Sequence, residues 1–382
     1  MLLVRVFALI AKPALVGGSV AAIAAGGYLG YDHWRDSRLT PFQQLQSAGQ
    51  RILISEFGED ADTIVAVDPN DTSDRTTVAT IEHADGYGIF ATLSPDGSAI
   101  AYTALPPDSP RVAPDAPAQA AIVEADGDVT LLAGDVDLLI APVWSPDGAS
   151  IVVRKNTPEQ DGAGRFELIA LGRDGTRETI TTWSSAAVFP IGFAPDGSAL
   201  YFATLNASGT NLYRIAPDGT DEVLIAHLSD EIARDWKLSA DGARMAYTVA
   251  ESGDNPRLAA MTIDLATGEI AEAKKPRGLL TEQFSGAWSP DGELAVTSVS
   301  EDGSRRALTI AAPGAPSRMT VAGETLDVAL GFAPDGSSLA VLAVEDGTAS
   351  SAGASKLELI RRDGTRDRLS EQVDVMIVGW ME

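Results

Sequence analysis

The sequence predicts an all-β fold: a seven-bladed β-propeller closed by its C-terminal strand and preceded by one N-terminal transmembrane helix. Three observations predict it. A turn sequence occurs six times, an apolar strand follows every copy, and a 19-residue stretch near the N-terminus is free of charge. The 382 residues carry 28 Lys and Arg against 54 Asp and Glu, 45% hydrophobic residues and no Cys. That apolar content suits a packed core and excludes a collagen-like or disordered chain. A net charge of −26 argues against nucleic acid and anionic lipid as partners, because Lys and Arg supply the attraction in both cases.

The uncharged stretch is Pro13 to Tyr31, preceded by Arg5 and Lys12. As a helix it spans about 28 Å, the thickness of a bilayer core. Ala22-Ile23-Ala24 followed by Ala25 fits the cleavage rule of a secretory signal, which would remove it. The apolar run continues past that point, however, and Tyr28, Tyr31 and Trp34 stand where an aromatic belt meets the far interface. The reading preferred is an uncleaved signal anchor, with a cleaved signal and a soluble periplasmic chain as the alternative. The basic end stays in the cytoplasm, which predicts a single-pass protein of the bacterial inner membrane with its propeller in the periplasm. Ala14, Gly18, Ala22, Gly26 and Gly30 form a stripe of small residues at every fourth position. Such stripes let membrane helices pack closely, so the expected partner of this helix is an integral membrane protein. Residues 1–35 are thus the cytoplasmic start and anchor, 36–50 a linker, and 51–382 the propeller.

The repeat begins at Leu93-Ser94-Pro95-Asp96-Gly97. It returns around Asp147, Asp196, Asp241, Asp291 and Asp335, at spacings of 51, 49, 45, 50 and 44 residues. Pro presets φ, Asp bonds nearby backbone and Gly accepts positive φ, so each copy is a tight turn between two strands. A second hairpin recurs between copies, as at Arg173-Asp174-Gly175-Thr176, Pro217-Asp218-Gly219-Thr220 and Arg362-Asp363-Gly364-Thr365. Two hairpins in a unit of about 48 residues make a four-stranded propeller blade.

The chain beyond position 40 holds about seven such units, with six as the alternative count. The ends supply the missing blade. Arg51–Glu56, Thr63–Val67 and Thr76–Ile81 read as three strands without an innermost one, and Val375–Trp380 reads as an innermost strand without a blade. Pairing them closes the ring and removes its open edges.

The Ser-Pro-Asp-Gly run after an aromatic residue, followed by an apolar strand and an Asp-Gly-Thr hairpin, resembles the WD40-like repeats of TolB-type propellers over about residues 51 to 380. The resemblance implies the fold and leaves function open, since this repeat occurs in proteins of many roles. TolB-type chains carry an α/β domain ahead of the propeller, for which this sequence has no room, so a Tol-specific function is not implied.

Chemistry is scarce. No Gly-x-Ser-x-Gly elbow occurs, and the absence of Cys removes thiolate nucleophiles and ligands. His33, His83 and His227 lie too far apart for a zinc site, and the two propeller histidines read as plain loop residues. Asp68, Asn70, Asp71 and Asp74 lack the Gly and Glu of a calcium loop and read as a hairpin turn. No cofactor is implied, and a non-enzyme is the expectation, with an enzyme acting at the channel mouth as the alternative. Inter-blade crossings place Glu82, Asp85, Asp135, Asp137, Asp230, Glu231, Asp235, Glu324, Asp327, Glu371 and Asp374 on one face, while Lys274, Lys275 and Arg277 break the pattern at one crossing. An acidic rim steers a basic partner. The expected role is a protein-interaction scaffold or accessory subunit of a membrane complex, meeting a basic exported protein on this face.

Overall fold

Asp, Gly and the hydroxyl of each repeated turn have separate tasks in the folded chain. The Asp carboxylate accepts the amide two residues on. Ser98 N reaches Asp96 at 3.0 Å, Ala149 N reaches Asp147 at 3.0 Å, and Ser198 N, Ala243 N and Ser337 N repeat the bond to Asp196, Asp241 and Asp335. Gly97, Gly148, Gly197, Gly242, Gly292 and Gly336 all sit at φ between 67° and 76°, where a side chain is strained. Ser145 and Ser239 add Oγ bonds of 2.6 Å to the turn carboxylates. These acids therefore belong to turn geometry. Asp291 differs: it faces Arg362 at 3.8 Å.

A computed structural model describes residues 40–45, 49–109, 116–158, 164–250, 258–273, 282–300, 304–313, 319–322, 325–345, 354–372 and 374–382. They form seven four-stranded antiparallel sheets, so the count is seven blades and not six. Blade 1 joins Arg51–Glu56, Ala61–Val67 and Arg75–Glu82 to the C-terminal strand Val375–Met381, which takes the innermost place. Ile52 pairs with Trp380, Leu53 with Gly379 and Glu56 with Val375, with a bulge between. The innermost strands of blades 2 to 7 are Phe90–Leu93, Val143–Trp144, Ala187–Phe193, Ala233–Leu238, Glu282–Trp288 and Leu326–Phe332. Antiparallel order puts both hairpin turns of a blade on one face, the turn face. Its middle loop and the crossing to the next blade lie on the other, the loop face.

The core lies in the seams between blades. Ile52, Ile54, Leu357 and Leu359 fill the seam of blades 7 and 1; Leu53, Ile64, Ile100 and Tyr102 fill that of blades 1 and 2. Part of the expected linker joins this second seam. A short helix, Pro41–Leu45, buries Phe42 and Leu45 there, and Thr40 Oγ1 donates to the Ala125 carbonyl. Trp144 and Trp288 end innermost strands and donate Nε1–H to Thr92 O at 3.1 Å and Lys237 O at 2.9 Å in the preceding blade, which explains an aromatic at that place.

The expected inner-membrane localisation is corrected. Among the described residues no helix is long and apolar enough to cross a membrane. Pro13 to Tyr31, including the stripe of Ala14, Gly18, Ala22, Gly26 and Gly30, lies outside the described residues.

Candidate functional site: the loop face and the channel wall

The loop end of blade 1 is built on a buried ion pair. Asp62 opens the third strand of that blade and His83 follows its outermost strand. Their side chains are almost fully buried, with Nε2 2.9 Å from Oδ1. Asp62 also accepts Gly58 N at 3.2 Å, Ile89 N at 3.1 Å and Ser55 Oγ at 3.3 Å. His83 Nδ1 lies 3.0 Å from Ala84 O, and the Phe57 ring stacks on the imidazole at 6.0 Å. The histidine read as a plain loop residue is thus a pin between two loops.

Both ring nitrogens of His83 face acceptors, so the protonated ring satisfies both. Burial pulls its pKa down, but the bonds to Asp62 and Ala84 O and the charges of Asp62 and Asp60 outweigh this and hold it above the ordinary 6.5. A basic group whose folded pKa is raised contributes stability in full below the unfolded value and loses it as pH rises through the folded one. The melting temperature is therefore expected to fall as pH rises above about 6.5. The fall should be shallower in His83→Gln, as a thermal melt at several pH values reads directly.

Around this pin stand exposed acids: Glu59, Asp60, Glu82, Asp85 and Asp374. Gly86 N bonds to Glu59 O at 2.7 Å, His83 N to Asp60 O at 2.9 Å and Phe57 N to Asp374 O at 3.1 Å, which fixes the backbone that carries them. Glu371 lies beside them and pairs with Arg368 at 2.6 Å.

Of the other acids expected on the rim, Asp135, Asp137, Asp235 and Asp327 have cationic partners. Asp135 lies between blades 2 and 3, 2.6 Å from Lys155 and 2.7 Å from Arg177. The Arg177 hydrogen bond, joined by Lys155 and opposed by burial, holds its pKa down at about 2. Asp137 meets Arg154, which also donates to Val188 O at 2.8 Å and lies over the Phe166 and Phe189 rings, so one guanidinium ties blades 2, 3 and 4. Asp327 is buried against Arg366, which also bonds Glu358 at 3.1 Å. Asp230 holds His227 Nε2 at 3.0 Å, while Nδ1 of that ring meets Asn211. His227 is on the outermost strand of blade 4 and not in a loop. Glu231 lends its carbonyl to Thr210 Oγ1 at 2.8 Å. Glu324, Lys274, Lys275 and Arg277 lie outside the described residues. Asp68 and Asp74 close a hairpin under Arg51.

The channel wall holds residues that the sequence did not single out. In blade 5, Arg234 and Asp235 pair at 3.4 Å, and Asp235 is forced to φ 58° by a bulge at Asp235 and Trp236. Trp236 packs between Phe189 at 6.4 Å and Tyr247 at 6.1 Å. Charge on an innermost strand was the available signal, and only Asp235 was read from it. The same bulge recurs in the innermost strands of blades 1, 4, 6 and 7 and so belongs to the fold, whereas the positive φ of Asp235 is particular to blade 5 among them.

No protein-family model matches the chain, and no curated protein does. Solved structures do. A prolyl endopeptidase is similar at 13% identity and TM-score 0.58, over 86% of this chain and 50% of that one. A putative 6-phosphogluconolactonase from Bacteroides uniformis is similar at 12% and 0.55, over 86% and 99%. TolB from Acinetobacter baumannii is similar at 20% and 0.48, over 72% and 64%. This chain thus spans half of the endopeptidase's length and just under two thirds of that TolB's. The expectation of a non-enzyme is corrected, because peptidases and lactonases stand among the structural neighbours and the missing motifs are no argument against chemistry on this fold. At such identities the likeness extends to the fold alone: an all-β propeller of seven blades, with TolB-like propellers and enzymes both among its neighbours.

Proposed function

We propose that this chain is a protein-binding propeller that presents the loop end of blade 1 to a basic partner. One observation carries the reading. Glu59, Asp60, Glu82, Asp85 and Asp374 are exposed together on the loop face, on backbone fixed by the Asp62–His83 pin, whereas Asp135, Asp137 and Asp327 are each tied to a cation of the fold. Clustered charge of one sign on a rigid surface raises the encounter rate with a partner of the other sign, and loops held by a scaffold are favoured binding sites.

The test uses a decalysine peptide as the probe. Neutralising Glu59, Asp60 and Glu82 together as Gln, Asn and Gln is expected to weaken its binding about tenfold, from three exposed pairs worth up to about 1 kcal/mol each. Binding of the unaltered chain should weaken steeply with salt, because the Debye length shrinks to about 8 Å at physiological ionic strength. The same neutralisation at Asp128, Glu178 and Glu269, exposed elsewhere, should leave affinity nearly unchanged. Equal losses from both sets would reduce the effect to net charge and end the proposal.

A further inference from the structure

The second hairpin of a blade has one position that faces the seam with the preceding blade, and in two blades it holds arginine. Arg173 of blade 3 donates Nη1–H to Gly148 O at 3.3 Å and lies over the Trp144 ring at 5.9 Å. It also reaches back to blade 2, where its Nε meets Glu124 at 3.0 Å. Arg362 of blade 7 donates Nε–H to Gly336 O at 2.7 Å and faces Asp291 of blade 6 at 3.8 Å. The backbone holds both alike, with Arg173 N bonded to Ala149 O and Arg362 N to Ser337 O. Each guanidinium thus covers the turn glycine of its own blade and answers an acid of the preceding one.

Blade 4 has Pro217 at this position. Proline brings neither the cation nor the N–H. Leu265, the counterpart in blade 5, keeps the backbone bond, to Ala243 O at 2.9 Å, and fills its seam by packing on Ala194 and Tyr201. Beside Pro217 the seam stays open. A cavity of about 510 Å³ lies there between blades 3 and 4, whereas the gap beside Arg362 measures about 20 Å³. Phe193, Gly197 and Asp147, the counterparts of Phe332, Gly336 and Asp291, all line it, together with Asp196 and Ile180. Gly148 and Gly336 are buried beneath their arginines, but Gly197 is only half-buried. Among the described residues neither Asp147 nor Asp196 has a cationic partner: each uses Oδ1 for its own turn, and Oδ2 accepts no bond.

We propose that this cavity takes a guanidinium group from outside the chain, the head of an arginine, in the place that Arg173 and Arg362 fill in their own seams. Asp147 and Asp196 supply the opposite charge, Gly197 O an acceptor, and Phe193 a ring for the flat face of the cation. An ammonium matches the charge but lacks the planar fork that stacks and donates at once. The volume is that of a ligand pocket with apolar walls and few polar groups. This site is on the turn face, away from the acidic loop end of blade 1, and is independent of it.

The experiment is calorimetric titration of the full chain with arginine amide, with lysine amide as the control for charge alone. Saturable binding of arginine amide is expected, about tenfold or more tighter than that of lysine amide. Asp147→Asn keeps the acceptor that the turn needs and removes the charge, so it should weaken arginine amide about tenfold. Pro217→Arg should rebuild the internal clamp, raising the melting temperature and abolishing arginine amide binding. Absence of saturable binding, equal affinity for the two amides, or full binding by either variant would overturn the site. Acetyl-Ala-Arg-Ala-amide gives the source of the group: tighter binding than arginine amide assigns it to a protein partner, weaker binding to a free small molecule. Neutralising Glu59, Asp60 and Glu82, which weakens decalysine binding, should leave the arginine amide titration unchanged, so the two proposals fail separately.

Discussion

Deleting residues 375–382 is expected to abolish cooperative melting and send the chain into aggregates. That segment supplies the innermost strand of blade 1, and its loss strips the Arg51–Glu56 strand of its partner over Arg51↔Met381 to Glu56↔Val375. The exposed edge would be a row of free amides and carbonyls beside buried Ile52, Leu53 and Ile54, a template for pairing with other chains. Val378 and Met381 are buried, and Ile377 and Trp380 pack on the seam of blades 7 and 1. Removing large core side chains costs about 2 to 5 kcal/mol each, so losing these together is comparable to the roughly 5 to 15 kcal/mol by which a domain is stable. A subtler variant checks the same closure without truncation. A Cβ on Gly379 would lie 2.6 Å from Leu93 Cβ in blade 2, too near for a flexible tip to relieve, and Gly379→Ala is expected to destabilise by about 1 to 3 kcal/mol. Calorimetric melts read both. A truncated chain that melts cooperatively near the full-length temperature would mean that the ring does not depend on its closing strand.

The ring was legible in the sequence because its information is local. Asp96-Gly97 and its five successors set the turns within four residues of themselves, strands follow by alternation, and Gly379-Trp380 matches Gly331-Phe332 closely enough to reveal a strand without a blade. The side-chain site was not legible, because its partners are distant along the chain. Asp135 and Arg177 are 42 residues apart, Asp327 and Arg366 are 39, and alternation tells which face a residue takes but not which side chain across the seam will meet it. The acids read as one rim therefore divide into clamps between strands and blades and an exposed group on blade 1. Catalysis was misjudged for a related reason. Searching for one short motif assumes that a site is contiguous, whereas a propeller can assemble one from loops of several blades. Pro217 was visible at a hairpin position that holds Arg173 and Arg362 in other copies. The cavity beside it needed the packing of two blades.

Asp62→Ala is expected to be the most damaging single substitution on the loop face, at about 3 to 5 kcal/mol, the range for breaking a buried ion pair by removing one partner. The carboxylate serves four donors: His83 Nε2, Gly58 N, Ile89 N and Ser55 Oγ. Alanine leaves them unsatisfied, and a buried donor without a partner bears its full desolvation penalty. The loops carrying Glu59, Asp60, Glu82 and Asp85 should then loosen, because the pin between them is gone, and decalysine binding should weaken although no exposed acid has changed. Asp62→Asn, which keeps one acceptor oxygen, should lose less. The decisive variant is the double one. If the penalty comes from stranding His83, then Asp62→Ala with His83→Ala should be less destabilised than the sum of the single variants, with a coupling of roughly 0.5 to 3 kcal/mol. Denaturant melts of the four chains give that number. Strict additivity would mean that Asp62 and His83 do not act as a pair, and the pH dependence assigned to His83 would then lose its basis, since its raised pKa rests on the bond to Asp62.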